Sequence, residues 1–411
     1  MTAAWQGTRE ALRCISRSGH RSVLAHGAGP AEVLKGNTMK VLRQSRRLVR
    51  AGGCAALALG MAGAAGAVSA PAQARVTAIL VKSSVAAGWG YNAQGQLGDG
   101  SITSRSGYGD IRVGNDVVQV AAGSGHGLAL RSDGTVWAWG FNGSGELGDG
   151  TRTSRSTPVQ VTGLTGVTQV AASGAFSLAL RSDGTVSAWG DNRRGQLGNG
   201  HAASSPVPVK VAALSQVTGI SAGYDSSMAT RTNGISAIAS VWTWGGNDFG
   251  QLGDGTLTSH STPKRVTGLP LYIAGISAGG GFAARLGDGV SATGGFATVL
   301  GTDGTVWAWG DDSAGQLGNA RSSIPVTRPV NTIGAGSGIT QLSAGDFHVL
   351  ALKSNGTALA WGSNGSGQLG NGSTTDPAGP VLVTGLANAT QVAAGERFSL
   401  AVHTVPYLLG S

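Results

Sequence analysis

The sequence predicts an all-β chain, a single β-propeller built of four-stranded antiparallel blades. Three observations carry this expectation. A multi-part motif returns about every 50 residues, short apolar runs are separated by Asp-Gly or Asn-Gly pairs, and 71 of the 411 residues are glycine while only 12% are charged. A repeat of that length belongs to blades or solenoids. Ordinary chains hold about 7% glycine and about 25% charged residues, so turns must be frequent here. Collagen is excluded, since only 12 prolines occur and no Gly-X-Y period runs through the chain, and 41% hydrophobic residues argue against disorder.

The elements follow in chain order. Residues 1–74 hold 10 Lys+Arg and 2 Asp+Glu, whereas 75–411 are close to neutral with 19 and 18. The formal charge of +9 is therefore a property of the leader, and the folding body has no electrostatic footprint for nucleic acid. From Met39 the leader reads as a signal peptide: a basic segment through Arg50, an uncharged Ala/Gly/Leu stretch over 51–68, and Ala72-Gln73-Ala74 as a cleavage site, with cleavage after Ala74. The pair Arg46-Arg47 leaves twin-arginine export open beside ordinary secretory export. Residues 1–38 precede a complete signal and read as a start-site extension, expected to be disordered; a genuine N-terminal extension or a membrane anchor is the alternative. Both cysteines, Cys14 and Cys54, lie in the leader, so the mature chain 75–411 has neither disulfide nor cysteine metal site, and no membrane segment is expected in it.

Within 75–411, Gly-Gln-Leu-Gly-Asp/Asn-Gly recurs at Gly95–Gly100, Gly145–Gly150 (with Glu146), Gly195–Gly200, Gly250–Gly255, Gly315–Ala320 and Gly367–Gly372. Each copy follows a Trp-Gly step at Trp89, Trp139, Trp189, Trp244, Trp309 or Trp361. Between copies lie two apolar runs and a third after the Asp-Gly turn, with no sustained helical period; Asp133-Gly134, Asp183-Gly184, Asp303-Gly304 and Asn355-Gly356 supply the positive φ of tight hairpins. A fourth strand fits Pro158–Val161 and its equivalents. Four antiparallel strands repeated radially make a propeller.

These motifs, an Ala-Gly-x-x-His step, the Asp-Gly turn, Trp-Gly and Gly-Gln-Leu-Gly, resemble the regulator of chromosome condensation repeat family over about 76–404. The resemblance implies a propeller, usually of seven blades, on a fold also used by a bacterial secreted propeller-type β-lactamase inhibitor. It implies no activity by itself. By repeat count there are six blades, with seven still open. The N-terminal end offers strands at 76–82 and 85–89, and Ala389–His403 offers the complementary pair, so the terminal strands are expected to close the ring. Thr232–Ser240 and Arg285–Thr298 read as protruding loops.

Candidate chemistry is thin. Gly219-Ile220-Ser221-Ala222-Gly223 and Gly275-Ile276-Ser277-Ala278-Gly279 match a nucleophile-elbow pattern, but on strands without the following helix that the elbow requires, so packing serines are expected. His126 and His348 hold the family's histidine position, whose equivalents read as Phe176, Ser226, Phe282 and Phe398; a packing site is expected. The recurring tryptophans, with Trp137, Trp242 and Trp307, read as inter-blade core. Asp99, Asp149 and Asp254 alternate with Asn199, Asn319 and Asn371 and read as turn formers, not calcium ligands. Asp311-Asp312, an adjacent acidic pair, reads as a solvated turn. No catalytic residue, cofactor or metal is expected.

Variation between repeats points to binding, because packing fixes the scaffold and frees the loops. After Ala-Gly stand Ser124-Gly125, Tyr224-Asp225, Asp346-Phe347 and Glu396-Arg397; after the Gly-Gln-Leu-Gly loop stand Arg152–Ser156, His201–Ser205, Leu257–Ser261 and Arg321–Ile324. Tyr224, Asp225, Asp346, Phe347, Glu396 and Arg397 are the candidate partner-binding residues. The expected protein is a secreted or periplasmic, cell-envelope-associated monomer, non-enzymatic, binding a protein or envelope component. Inhibition of a secreted enzyme such as a β-lactamase, and guanine-nucleotide exchange on a small GTPase, are the alternatives that the resemblance leaves open.

Overall fold

The computed structural model describes residues 85–404 apart from 233, 235–237 and 285–290, with the backbone alone at 282–284 and 291–293. The start-site extension, the signal peptide, the cleavage point after Ala74 and the strand expected at 76–82 lie outside the described residues. All described residues fall in one compact unit, Ile79–Ser411, and every regular element among them is a strand.

The strands run in chain order as β1 (Ala87–Gly90) and β2 (Arg105–Asp110); β3 (Val117–Ala122), β4 (His126–Arg131), β5 (Val136–Gly140) and β6 (Arg155–Gln160); β7 (Val167–Ser173), β8 (Phe176–Arg181), β9 (Val186–Gly190) and β10 (Ser205–Lys210); β11 (Val217–Ala222), β12 (Ser226–Thr232), β13 (Ala239–Gly245) and β14 (His260–Arg265). They continue as β15 (Ile273–Ala284), β16 (Ser291–Gly301), β17 (Val306–Gly310) and β18 (Val326–Ile333); β19 (Ile339–Ala344), β20 (His348–Lys353), β21 (Ala358–Gly362) and β22 (Val381–Leu382); and β23 (Ala389–Ala394) with β24 (Ser399–His403). Each group of four forms one antiparallel sheet in sequential order, giving five complete blades. The Asp-Gly turns close the second and third strands as expected: Asp183 Oδ1 accepts from the Thr185 N–H at 2.9 Å while Gly184 takes a φ of +76°.

Two half-blades remain. β1–β2 supplies third and fourth strands, and β23–β24 supplies first and second strands, so together they hold the strands of a sixth blade. No seventh set occurs among the described residues. β24 is hydrogen-bonded to β23 alone and β1 to β2 alone, and their free edges carry exposed apolar residues: Trp89 and Tyr91 on one side, Phe398, Leu400 and Val402 on the other.

The core sits between blades. The indoles of Trp139, Trp189, Trp244, Trp309 and Trp361 are at most 3% exposed and pack into the preceding blade's Gly-Gln-Leu-Gly loop, the expected inter-blade role. Trp89 departs from it at 52% exposed.

Three expectations need correction. Thr232–Ser240 is not a loop throughout: β12 and β13 continue their ladder through Thr232↔Ala239, and 233 and 235–237 lie outside the described set. Arg285–Thr298 does not form a loop: β15 and β16 continue their ladder through Ala284↔Ser291, making a hairpin with stems of 12 and 11 residues, and residues 285–290 lie outside the described set. Because of that extension the histidine position in this blade is filled by Phe296, not Phe282. Phe296 pairs with Gly310 as His126 pairs with Gly140, and it is fully buried.

Candidate partner-binding face

In an antiparallel blade the turn between first and second strands and the loop between third and fourth strands lie at the same end. Both families of variable residues therefore reach one face, the turns toward the axis and the loops outside them. The turns are tied to one another through the backbone. The Ser124 N–H donates to the Gly174 carbonyl at 2.9 Å, and the Asp346 N–H donates to the Gly395 carbonyl at 3.2 Å. A methyl group on Gly174, whose φ is +44°, would strike the Tyr224 carbonyl, so glycine is required where one blade's turn rests on the next.

Tyr224 and Asp225 stand between β11 and β12, Asp346 and Phe347 between β19 and β20, and Glu396 and Arg397 between β23 and β24. Burial pushes the Tyr224 phenol up, the carboxylates of Asp225, Asp346 and Asp191 push it further, and Arg193 opposes them. Asp225 is buried, receives the Gln251 Nε2–H at 3.1 Å, and is held above the usual carboxylate range by that burial. Asp346 is pushed up to about 7, first by burial and then by Glu396, with Arg397 opposing. Glu396 and Arg397 are exposed, 3.8 Å apart.

Asp191, not singled out from sequence, and Asp311, expected in a solvated turn, are both buried beside the same rim. Asp191 pairs with Arg193 at 3.0 Å, and Asp311 accepts the Gln316 Nε2–H at 2.8 Å. Both follow a Trp-Gly step, where the six repeats carry Tyr91, Phe141, Asp191, Gly246, Asp311 and Ser363. Comparing repeats at that position would have found them.

The polar residues that recur are consumed by the scaffold. His126 Nε2 lies 2.9 Å from Ser177 Oγ in the next blade, and His348 Nε2 lies 2.9 Å from Ser399 Oγ. Burial depresses both imidazoles to about 4. Ser221 Oγ accepts the Ala278 N–H at 3.0 Å and Ser277 Oγ accepts the Ala344 N–H at 3.0 Å, so the two elbow-like serines hold neighbouring blades together. Asp149 Oδ1 accepts from the Thr151 N–H and hydroxyl, and its Oδ2 pairs with Arg155 at 2.9 Å, which is turn chemistry. Asp312, expected in a solvated turn, is instead 1% exposed: its Oδ1 accepts the Leu317 N–H at 3.1 Å because the loop folds over it. Among the described residues no three His, Cys, Asp or Glu side chains gather as metal ligands.

Fold and face together define a repeat propeller with a rim of non-repeating side chains. Models of the regulator of chromosome condensation (RCC1) repeat match residues 133–180, 183–230, 239–286, 303–352 and 355–402, and a second model of that repeat matches 117–146, 167–196 and 339–368. The chain belongs to the RCC1 repeat family. It is 34% identical over 178 residues to the human probable E3 ubiquitin-protein ligase HERC6, and 34% identical over 169 residues to human E3 ubiquitin-protein ligase HERC2. Those matches take in 41% and 40% of this chain but 16% and 3% of the relatives. Among solved structures, yeast RCC1 (Prp20) bound to Kap60 superposes with a TM-score of 0.65 at 22% identity, covering 86% of this chain and 84% of that one. Human WBSCR16 superposes with a TM-score of 0.64 at 21% identity, covering 78% and 87%. Both likenesses concern the fold.

Proposed function

We propose that this protein is an exported, non-enzymatic propeller that binds a protein or cell-envelope partner through the rim carrying Tyr224, Asp225, Asp346, Phe347, Glu396 and Arg397. One observation carries the reading: recurring polar groups such as His126, Ser221 and Ser277 are engaged between blades, whereas the residues that differ from blade to blade share one face. Neighbouring turns are joined by backbone hydrogen bonds, which pre-organises that face for association. Export rests on the layout of residues 39–74. The solved yeast relative is bound to Kap60, which supports protein binding as a use of this fold. The ligase activity named for HERC6 has no support here, since the match takes in 16% of that protein.

Affinity capture from envelope and secreted fractions with residues 75–411, against the variant with Tyr224, Asp225, Asp346 and Arg397 changed to Ala, tests the proposal. One partner bound by the parent and lost by the variant, then reproduced with purified components, is the expected result. A partner retained by the variant would move the site elsewhere, and capture of a small GTPase or a β-lactamase would favour exchange or inhibition. N-terminal sequencing of the exported form should start at Arg75; a mature protein that keeps residues 39–74 would remove the export reading.

A further inference from the structure

Neighbouring blades are joined by side-chain amides. Gln119 Nε2–H donates to the Val170 carbonyl at 3.0 Å while its Oε1 accepts the Val170 N–H at 2.9 Å. Gln169 holds Ile220 in the same way at 3.0 and 3.0 Å, and Gln341 holds Val392 at 3.2 and 3.1 Å. Each is a planar carboxamide gripping the outward N–H and C=O of one residue on the next blade's first strand.

Two seams lack the glutamine: Gly275 stands in its place before Leu342, and the seam that follows Gln169 and Ile220 lacks it too. Gly219 occupies its place, and a cavity of about 410 Å³ opens there, walled by Thr218, Gly219, Ile220 and Thr230 on one blade and by Ile273 and Ile276 on the other. Ile276 holds the register of the gripped residues: it pairs with Val299 as Ile220 pairs with Ala229 and Val170 with Ala179. Its N–H and C=O therefore face the cavity, and among the described residues no side chain reaches them. Thr230 stands where other blades carry Leu130, Leu180, Leu300 and Leu352, and its Oγ1 lies 3.1 Å from Thr218 Oγ1, which adds hydroxyls to a wall that also carries Gln169 and Thr232 beside the isoleucines. The seam is held from its other end, where Ser221 Oγ accepts the Ala278 N–H, so the gap does not part the blades. Its size is that of a small-ligand pocket, which is typically apolar with a few placed polar groups.

We propose that this gap binds a primary carboxamide, which donates to the Ile276 carbonyl and accepts the Ile276 N–H as the Gln169 amide does for Ile220. The amide comes either from a free small molecule or from an Asn or Gln side chain of a partner. The gap lies beside the start of the first strands, at the end of the blades opposite the partner-binding rim, so it stands independently of the function proposed above.

The test is a titration of ¹⁵N-labelled full chain with propanamide, with methyl propanoate (an acceptor without the N–H donor), and with a Gly-Gln-Gly peptide. A saturable shift of the Ile276 amide with propanamide is expected, with binding of methyl propanoate at least about tenfold weaker, because the Ile276 carbonyl then stays unpaired. The double variant Gly219→Gln/Thr230→Leu, which restores the pair present at Gln169 and Leu180, should abolish the shift and raise Tm. Both changes are needed, since a Cβ at Gly219 would come within 2.9 Å of Thr230 Oγ1. Equal binding of the ester, no saturable shift with any amide, or a shift that survives in a folded double variant would each overturn the proposal. Tighter binding of the peptide than of propanamide assigns the site to a partner's side chain, and the reverse assigns it to a free amide. Should the double variant not fold, the amide-to-ester ratio on the parent chain decides.

Discussion

The indole Nε1–H of Trp361 donates to the main-chain carbonyl of Gln316, 3.0 Å away in the preceding blade. The same bond joins Trp139 to Gln96, Trp189 to Glu146, Trp244 to Gln196 and Trp309 to Gln251. A tryptophan in this position fills the neighbouring blade and caps an otherwise buried acceptor. Trp361→Ala should therefore cost about 3–5 kcal/mol, as expected for truncation of a fully buried aromatic. Urea denaturation of 75–411 would measure it, and a loss below about 1 kcal/mol would mean that the blades are not coupled through this residue.

Gln368 breaks the series. Its carbonyl accepts the Ser399 hydroxyl at 2.7 Å, as that of Gln196 accepts Ser227, but among the described residues no indole reaches it, and a cavity of about 370 Å³ lined by Leu350, Gln368, Leu369, Val383 and Val392 stands where the ring would be. Trp89 is the one indole of the series left half exposed. Ring closure by β1 and β24 would place Trp89 opposite Ser399 and Gly88 opposite Leu400, by the register of Trp189 with Ser177 and Ala188 with Leu178. A Gly88→Cys/Leu400→Cys pair, in a chain with Cys14 and Cys54 changed to Ser, should form an intramolecular disulfide. A cross-linked dimer would show instead that a second copy supplies the strand.

Asp312→Asn should stabilise the protein at neutral pH by about 1–3 kcal/mol, the cost of a buried polar atom without a partner. Asp312 Oδ2 and Asn319 Oδ1 are both buried and unpartnered, and burial pushes the Asp312 carboxyl up to about 6. Other repeats place Asn92, Asn142, Asn192, Asn247 or Asn364 here; the Nδ2–H of Asn192 donates to Asn199 Oδ1 at 3.2 Å, and that of Asn364 to Asn371 Oδ1 at 3.1 Å. No gain at pH 8 would mean that the loop already satisfies the carboxylate.

The pH profile should show opposing slopes. His126 is depressed from 6.5 to about 4, so the unfolded chain binds the proton first and stability falls by about 3 kcal/mol as pH drops from 6.5 to 4. His348 acts in the same sense. Asp346, raised to about 7, retains its proton in the fold, so its contribution is present in acid and lost as pH rises from about 4 through 7. Asp346→Asn should raise stability at pH 8 relative to the parent and leave it nearly unchanged at pH 4. His126→Phe, which installs the residue found at Phe176 and Phe296, should flatten the acid limb. Thermal melts from pH 4 to 8 check both, and parallel profiles for parent and variants would refute these assignments.

Much of the fold was legible because its causes are local. Asp183-Gly184 specifies a hairpin through the side-chain bond to Thr185 and a positive φ, both within three residues. Tyr224, Asp346 and Arg397 could be singled out for another reason: an internal repeat lets one blade be read against the next. Phe296 was not legible, because the hairpin extension shifts the register by a stretch whose length only the strand pairing reveals. Asp312 was misread because two adjacent carboxylates resemble a surface turn until the loop over them is seen.

By itself, then, the sequence determined most of the strands, their turns and the repeat, since hydrogen bonding and side-chain alternation act over a few residues. Only the tertiary structure decided which polar groups are spent between blades and which stay free. Gln119 meets Val170 and His126 meets Ser177 across 51 residues, and Ser221 meets Ala278 across 57. The packing angle between sheets, to which no local preference speaks, brings those partners within bonding distance.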